Sequence, residues 1–154
     1  MDHRLAKEDQ IDWETEPPEC YENDHLLYLG IHRDLWCQWP DLDKIHVNFF
    51  MTQHALRGLS VDWSKYADPK DTLAYLNPSL NVYGIAEVKV GDLRTCIDQY
   101  DLPLSIKHDP VKEPPNRNRA HTLIKGVTKK NKASIKRRLY KLFQWAPDME
   151  PLKD

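Results

Sequence analysis

The chain has 154 residues, of which 40% are hydrophobic and 30% charged, with a formal net charge of −2. That length fits one domain able to bury roughly two-thirds of its unfolded surface. No apolar run approaches the ~20 residues that cross a bilayer, the start lacks the basic-then-apolar layout of a signal peptide, and three cysteines do not make a disulfide framework; a cytoplasmic protein with reduced thiols is expected.

In chain order, residues 1–24 are acidic, contain Pro17-Pro18 and are expected to form a mobile arm or an irregular lead-in. LLYLGIH, Leu26–His32, suits a buried strand. Residues 33–43, with Trp36, Trp39 and Pro40, form a loop, and Ile45, Val47, Phe49 and Met51 then alternate as in a strand. Leu59–Trp63 is a strand whose Leu59, Val61 and Trp63 share a face, which leaves Asp62 turned to solvent. Asp68 caps a short helix, Pro69 fits its first position, and Asn77-Pro78 stops it. Val82–Val90 is a strand. Asp92 caps a helix to Tyr100, in which Leu93, Cys96, Ile97 and Tyr100 make one buried stripe. Leu104–His108 and Ala120–Lys125 are strands separated by a Pro-rich loop. The last element is a helix from about Lys129 to Trp145, where Ile135, Leu139, Leu142, Phe143 and Ala146 fall within roughly 100° of one another. These elements predict a single α+β domain over 25–147, with a mixed or antiparallel sheet of about four to six strands and a tail at 148–154.

The small net charge hides a reversal along the chain. From Met1 to Asp24 nine acids face two bases, Arg4 and Lys7; from Lys112 to Lys141 eleven Lys/Arg face one acid, Glu113. On the final helix, Lys129, Lys130, Lys132, Lys136, Arg137, Arg138 and Lys141 surround the apolar stripe. Lys125, Arg117 and Arg119 extend that basic surface. Such an arc attracts phosphate backbones, each contact releasing a counterion. Cations at a helix N-terminus oppose the macrodipole unless an anion binds there, and Lys125-Gly126-Val127-Thr128 supplies backbone amides for one. The function expected is therefore a non-enzymatic accessory module that docks nucleic acid or an acidic protein surface, with no cofactor. An alternative makes the acidic arm a nucleic-acid mimic that docks on the basic helix.

Two other constellations carry possible chemistry. His108 and His121 flank one loop and can serve as acid and base on a phosphate ester, with Lys107 or Arg119 holding the anion. They resemble the two-histidine phosphoesterases in residue type only, because the H-x-[ST] repeat of that family is absent. Cys20, His25, His32 and Cys37 form a C-x4-H-x6-H-x4-C set of zinc-ligand types. An extended Leu26–His32 would hold its two histidines apart on opposite faces, about 23 Å from each other. His32-Arg33-Asp34-Leu35 resembles the start of a kinase catalytic loop but lacks the asparagine that should follow. LYLGIH is similar to the first strand of the ADP-ribosyltransferases, which in that superfamily helps bind a nicotinamide dinucleotide. No Ser-Thr-Ser strand or E-x-E pair follows it here.

Overall fold

The computed structural model describes residues 13–32, 57–76 and 83–149. One antiparallel sheet of six strands carries three helices. The strands are β1 (Leu26–His32), β2 (Leu59–Trp63), β3 (Tyr83–Lys89), β4 (Ser105–His108), β5 (His121–Lys125) and β6 (Gln144–Trp145). Their order across the sheet is β4-β5-β2-β1-β3-β6. The helices are α1 (Pro69–Leu76), α2 (Val90–Tyr100) and α3 (Lys132–Leu139). The expected α+β class and antiparallel sheet are thus present. The strand read over 45–51 and the loop over 33–43 lie outside the described residues. Among the described residues no helix is long and apolar enough to cross a membrane.

Register assigns every strand residue to one of two faces. The pairs Leu27↔Trp63, Leu27↔Val88, Val61↔Thr122 and His108↔Thr122 place these residues on one face. That face joins α2 and α3 in the main core, with Leu27, Trp63, Leu93, Ile124 and Leu139 almost fully buried. Each such side chain contributes roughly 1.5–3 kcal/mol of burial free energy. The opposite face carries Tyr28, Asp62, His121 and Glu87, paired in register as His121↔Asp62, Asp62↔Tyr28 and Tyr28↔Glu87. Among the described residues α1 partly covers it, through a smaller cluster of Tyr28, Ile85 and Ala146 with Leu73 against them.

Local chemistry explains the element ends. In α1, Asp68 Oδ1 accepts from the Asp71 amide and Asp71 Oδ2 accepts from the Asp68 amide, each at 2.9 Å, a reciprocal box that satisfies two orphan donors. The start of α2 differs from expectation. The helix begins at Val90, and Asp92 sits in its first turn rather than capping it. Backbone carbonyls cap it instead: Val90 N–H donates to His25 O and Gly91 N–H to Asn23 O, both at 2.9 Å. Tyr100 closes the helix at 41% exposure, so it leaves the apolar stripe that Leu93 and Cys96 form.

The final element departs furthest. The helix stops at Leu139, a 3-10 turn covers Tyr140–Leu142, and Gln144–Trp145 pairs with β3. Continuing the helix would leave the outer edge of β3 unpaired. Instead Ala146 N–H donates to Ile85 O at 2.8 Å, and Ile85 N–H to Met149 O at 3.0 Å. Ile135, Leu139, Phe143 and Ala146 are all buried, so the stripe was read correctly although its backbone changes state halfway.

The segment before β1 is irregular, as expected, but its described part is packed rather than a free arm. Trp13 and Tyr21 are 3% and 1% exposed. Tyr21 stacks on Trp63 with ring centroids 3.9 Å apart, and its hydroxyl lies 2.9 Å from Thr122 Oγ1, which itself donates to Ala120 O at 3.1 Å. Burial pushes the Tyr21 phenol up to about 12.

Candidate functional site

Two surfaces carry candidate functional side chains; of the ten cations singled out by sequence, eight lie at the first, Arg117 lines the second and Arg119 lines neither. Seven lie on or just after α3 and the turn before it. Lys129, Lys130, Arg137, Arg138 and Lys141 are exposed, while Lys132 and Lys136 are half-buried beside the apolar stripe. Burial first, and then the charge of Lys132 one turn away, hold the Lys136 ammonium below its ordinary pKa. Lys125, exposed at the end of β5, lies close along the chain. None of Lys125, Lys129, Lys130, Lys132, Lys136, Arg137, Arg138 or Lys141 forms an ion pair among the described residues.

A groove of about 310 Å³ runs between α2 and α3, with Arg137, Arg138 and Lys141 on one wall and Tyr100 on the other. The Arg138 guanidinium lies 3.9 Å above the Tyr100 ring, a cation–π stack at the surface. Asp92 is the acid of that lining. Tyr140 and Trp145 are partly buried against the core, as anchors of this region.

Arg117 and Arg119 do not extend the surface. They belong to the connection entering β5, and Lys125 ends that strand, so the length of β5 separates them from α3. Arg119 stacks over Tyr66 at 4.3 Å and Arg117 lies over Trp13 at 6.0 Å. The expected anion seat at the start of α3 is also altered. The Thr128 amide donates to Asn131 Oδ1 at 2.6 Å, the Asn131 amide to Thr128 Oγ1 at 3.2 Å, and Asn131 Nδ2 to Gly126 O at 3.1 Å. The turn caps itself, and those two amides are not free for a phosphate.

The second surface is a cleft of about 760 Å³ on the polar face of the sheet. Its floor is Tyr28 and Gly30 of β1, Ser60 and Asp62 of β2, and His121 of β5; its walls are α1 and the β4–β5 connection. A Cβ on Gly30 would run into the Leu76 side chain of α1, so the absent side chain lets α1 lie close. Val111 and Asn118 bridge the connection with two 2.9 Å backbone hydrogen bonds. Asn118 ties it to the floor: Nδ2 donates to Asp62 Oδ1 at 2.7 Å while its Oδ1 accepts from the Ala120 amide at 3.0 Å.

Asp62 is the residue that sequence reasoning placed wrongly. It is 6% exposed rather than turned to solvent. Burial pushes its carboxyl above the ordinary 3.8, against opposing pulls from Asn118, Thr72 and His121. The buried Thr72 hydroxyl is near enough to act on it but outside hydrogen-bonding geometry. Alternation within β2 gave the correct face, but nothing local told that α1 and a loop about fifty residues later would cover it.

The two histidines are not brought together. His121 shares the cleft face with Asp62, whereas His108 shares the core face with Thr122. His108 is 2% exposed and both ring nitrogens are engaged. Nδ1 accepts from the Glu16 amide at 3.0 Å, so Nε2 carries the proton and donates to Arg119 O at 2.6 Å. It is a structural strut rather than half of an acid–base pair with His121. His121 Nδ1 lies 2.8 Å from Asp109 O, a carbonyl that can only accept, so Nδ1 donates there; Nε2 lies 3.2 Å from Ser60 Oγ.

The zinc set is not assembled either. β1 runs extended between His25 and His32. His25 Nδ1 accepts from Trp63 Nε1 and the Glu22 amide, both at 3.0 Å. Cys37 lies outside the described residues. Among the described residues no group of three or more His, Cys, Asp or Glu could hold a metal ion.

Among the described residues no hydrogen bond or ion pair joins the acidic segment to α3. Glu16 accepts from the Tyr66 hydroxyl at 2.8 Å and pairs with Lys65 at 3.5 Å; Arg94 of α2 donates to Asn23 Oδ1 at 2.9 Å and to Pro18 O at 3.0 Å.

No family model, no curated protein and no solved structure matches this chain.

Proposed function

We propose that this protein is a non-enzymatic binding module that docks the phosphate backbone of a nucleic acid along α3 and the α2–α3 groove. One observation carries the reading: eight cations at this end have no carboxylate partner among the described residues. Internal neutralisation would have removed the case. The field of such a surface attracts a polyanion, and each phosphate contact gains from counterion release. Tyr100, 41% exposed beneath Arg138, adds a ring on which an unpaired base can stack once the guanidinium swings to a phosphate. The free thiols of Cys20 and Cys96 fit a reducing, cytoplasmic setting.

Fluorescence anisotropy with random-sequence single-stranded and duplex oligonucleotides tests the reading. Binding at low ionic strength should weaken linearly in log–log form with salt. Removing one contacting cation should lower the slope by about 0.7–0.9. Absence of binding at low salt rejects nucleic acid, and binding only to an acidic protein partner moves the same surface to the other class of ligand.

A further inference from the structure

The cleft on the polar face lies outside that reading and stands on different residues. We propose that it binds a small organic cation with a flat apolar body, an aromatic amine or amidine, held by the Asp62 carboxylate.

The volume of about 760 Å³ lies in the range of small-molecule sites. The floor offers an anchored acceptor. Asn118 fixes one oxygen of Asp62 at 2.7 Å. Thr72, 3% exposed, keeps a hydroxyl without a partner beside it. Buried hydrogen-bonding capacity left open in this way is costly without a ligand, and a carboxylate there gains most from a cation.

The charge acting on the floor residues is mostly negative. Asp71 raises the Asp62 carboxyl against the opposing pull of His121, and Glu87 and Asp68 raise the Tyr28 phenol, so three carboxylates from outside the lining act on these two floor residues. The two basic groups of the lining have other partners as well: the Arg117 guanidinium lies over Trp13, and His121 Nδ1 faces Asp109 while its ring still acts on Asp62. The walls are flat and apolar at Tyr75, Leu76, Pro114 and Pro115. They suit a planar body, and an aromatic wall also favours a cation.

Benzamidine is the probe. Titrated into the full-length 15N-labelled protein, it should shift the amides of Asp62, Thr72, Asn118 and His121 saturably, while benzoate and neutral benzamide bind at least about tenfold more weakly. Asp62→Asn should weaken benzamidine by about tenfold or more. Tyr75→Ala, on the exposed side of α1, should weaken it about threefold and serves if the buried variant does not fold. Shifts confined to other surfaces, equal affinity for benzamide, or unchanged affinity in the variants would overturn the proposal. None of these results depends on whether α3 binds nucleic acid.

Discussion

The two faces of this sheet are built from alternate residues of the same strands and end in opposite conditions. On the α2–α3 side, Leu27, Val61, Trp63, Val88 and Ile124 form a closed apolar layer. On the α1 side, His121, Asp62, Tyr28 and Glu87 stand in a row across four strands, and a cleft remains open above the first three. The difference teaches where stability and chemistry reside. Apolar burial is non-directional and rewards complete closure. A polar row under partial cover needs a partner for each group, and here Asn118 serves Asp62 and Gln144 serves Glu87 at 3.1 Å. The cationic end of α3 is a third case, a charged surface whose helix is held by the closed face through Ile135 and Leu139.

The comparison can be broken most strongly from the closed side. Trp63 is fully buried, stacks on Tyr21 and donates to His25. Trp63→Ala should cost about 3–5 kcal/mol in urea unfolding and release the segment before β1, seen as faster amide exchange at Tyr21. On the polar face the cost should come from orphaned groups instead. Asn118→Ala removes the partner of both Asp62 Oδ1 and the Ala120 amide. A loss of about 2 kcal/mol is expected, with the largest amide shifts along the β4–β5 connection.

A pH series separates the faces further. The folded carboxyl of Asp62 titrates above its ordinary value because of burial. The folded state therefore holds that proton more tightly than the unfolded state. Its contribution raises stability as pH falls through the folded pKa toward 3.8, and lowers it as pH rises. Urea midpoints of wild type and Asp62→Asn should diverge in that sense, the wild type gaining relative to the variant at lower pH. An unchanged difference across the series would mean that Asp62 is not desolvated. The smallest expected effect on folding comes from the cationic end. Lys136→Gln should alter stability by no more than about 0.5 kcal/mol while lowering the salt slope of nucleic-acid binding. Arg119→Ala, across the length of β5 from α3, should leave that slope unchanged, and a reduced slope would join the two cationic groups into one surface.

Much of the fold was legible because its signals are local. The run at Leu26–His32, the alternation at Leu59–Trp63 and the Asp68-Pro69 helix start each fall where the structure has the element. The stripe through Ile135, Leu139 and Phe143 was legible as burial, but not the switch to strand at Gln144, because the edge of β3 that recruits it lies over fifty residues upstream. The cationic end was legible in composition. The division of its arginines from its lysines was not, since it depends on which end of β5 each group occupies.

The chain by itself determined an alternating pattern in each strand and a surplus of positive charge near its end, because periodicity and composition act between near neighbours. Only the tertiary structure decided that Asp62, His121, Tyr28 and Glu87 line up across four strands, that His108 lies on the opposite face from His121, and that a cleft opens above the first three. Strand pairing and helix cover bring together segments far apart along the chain, and it is this pairing that makes a polar strand residue a buried carboxylate rather than a solvated one.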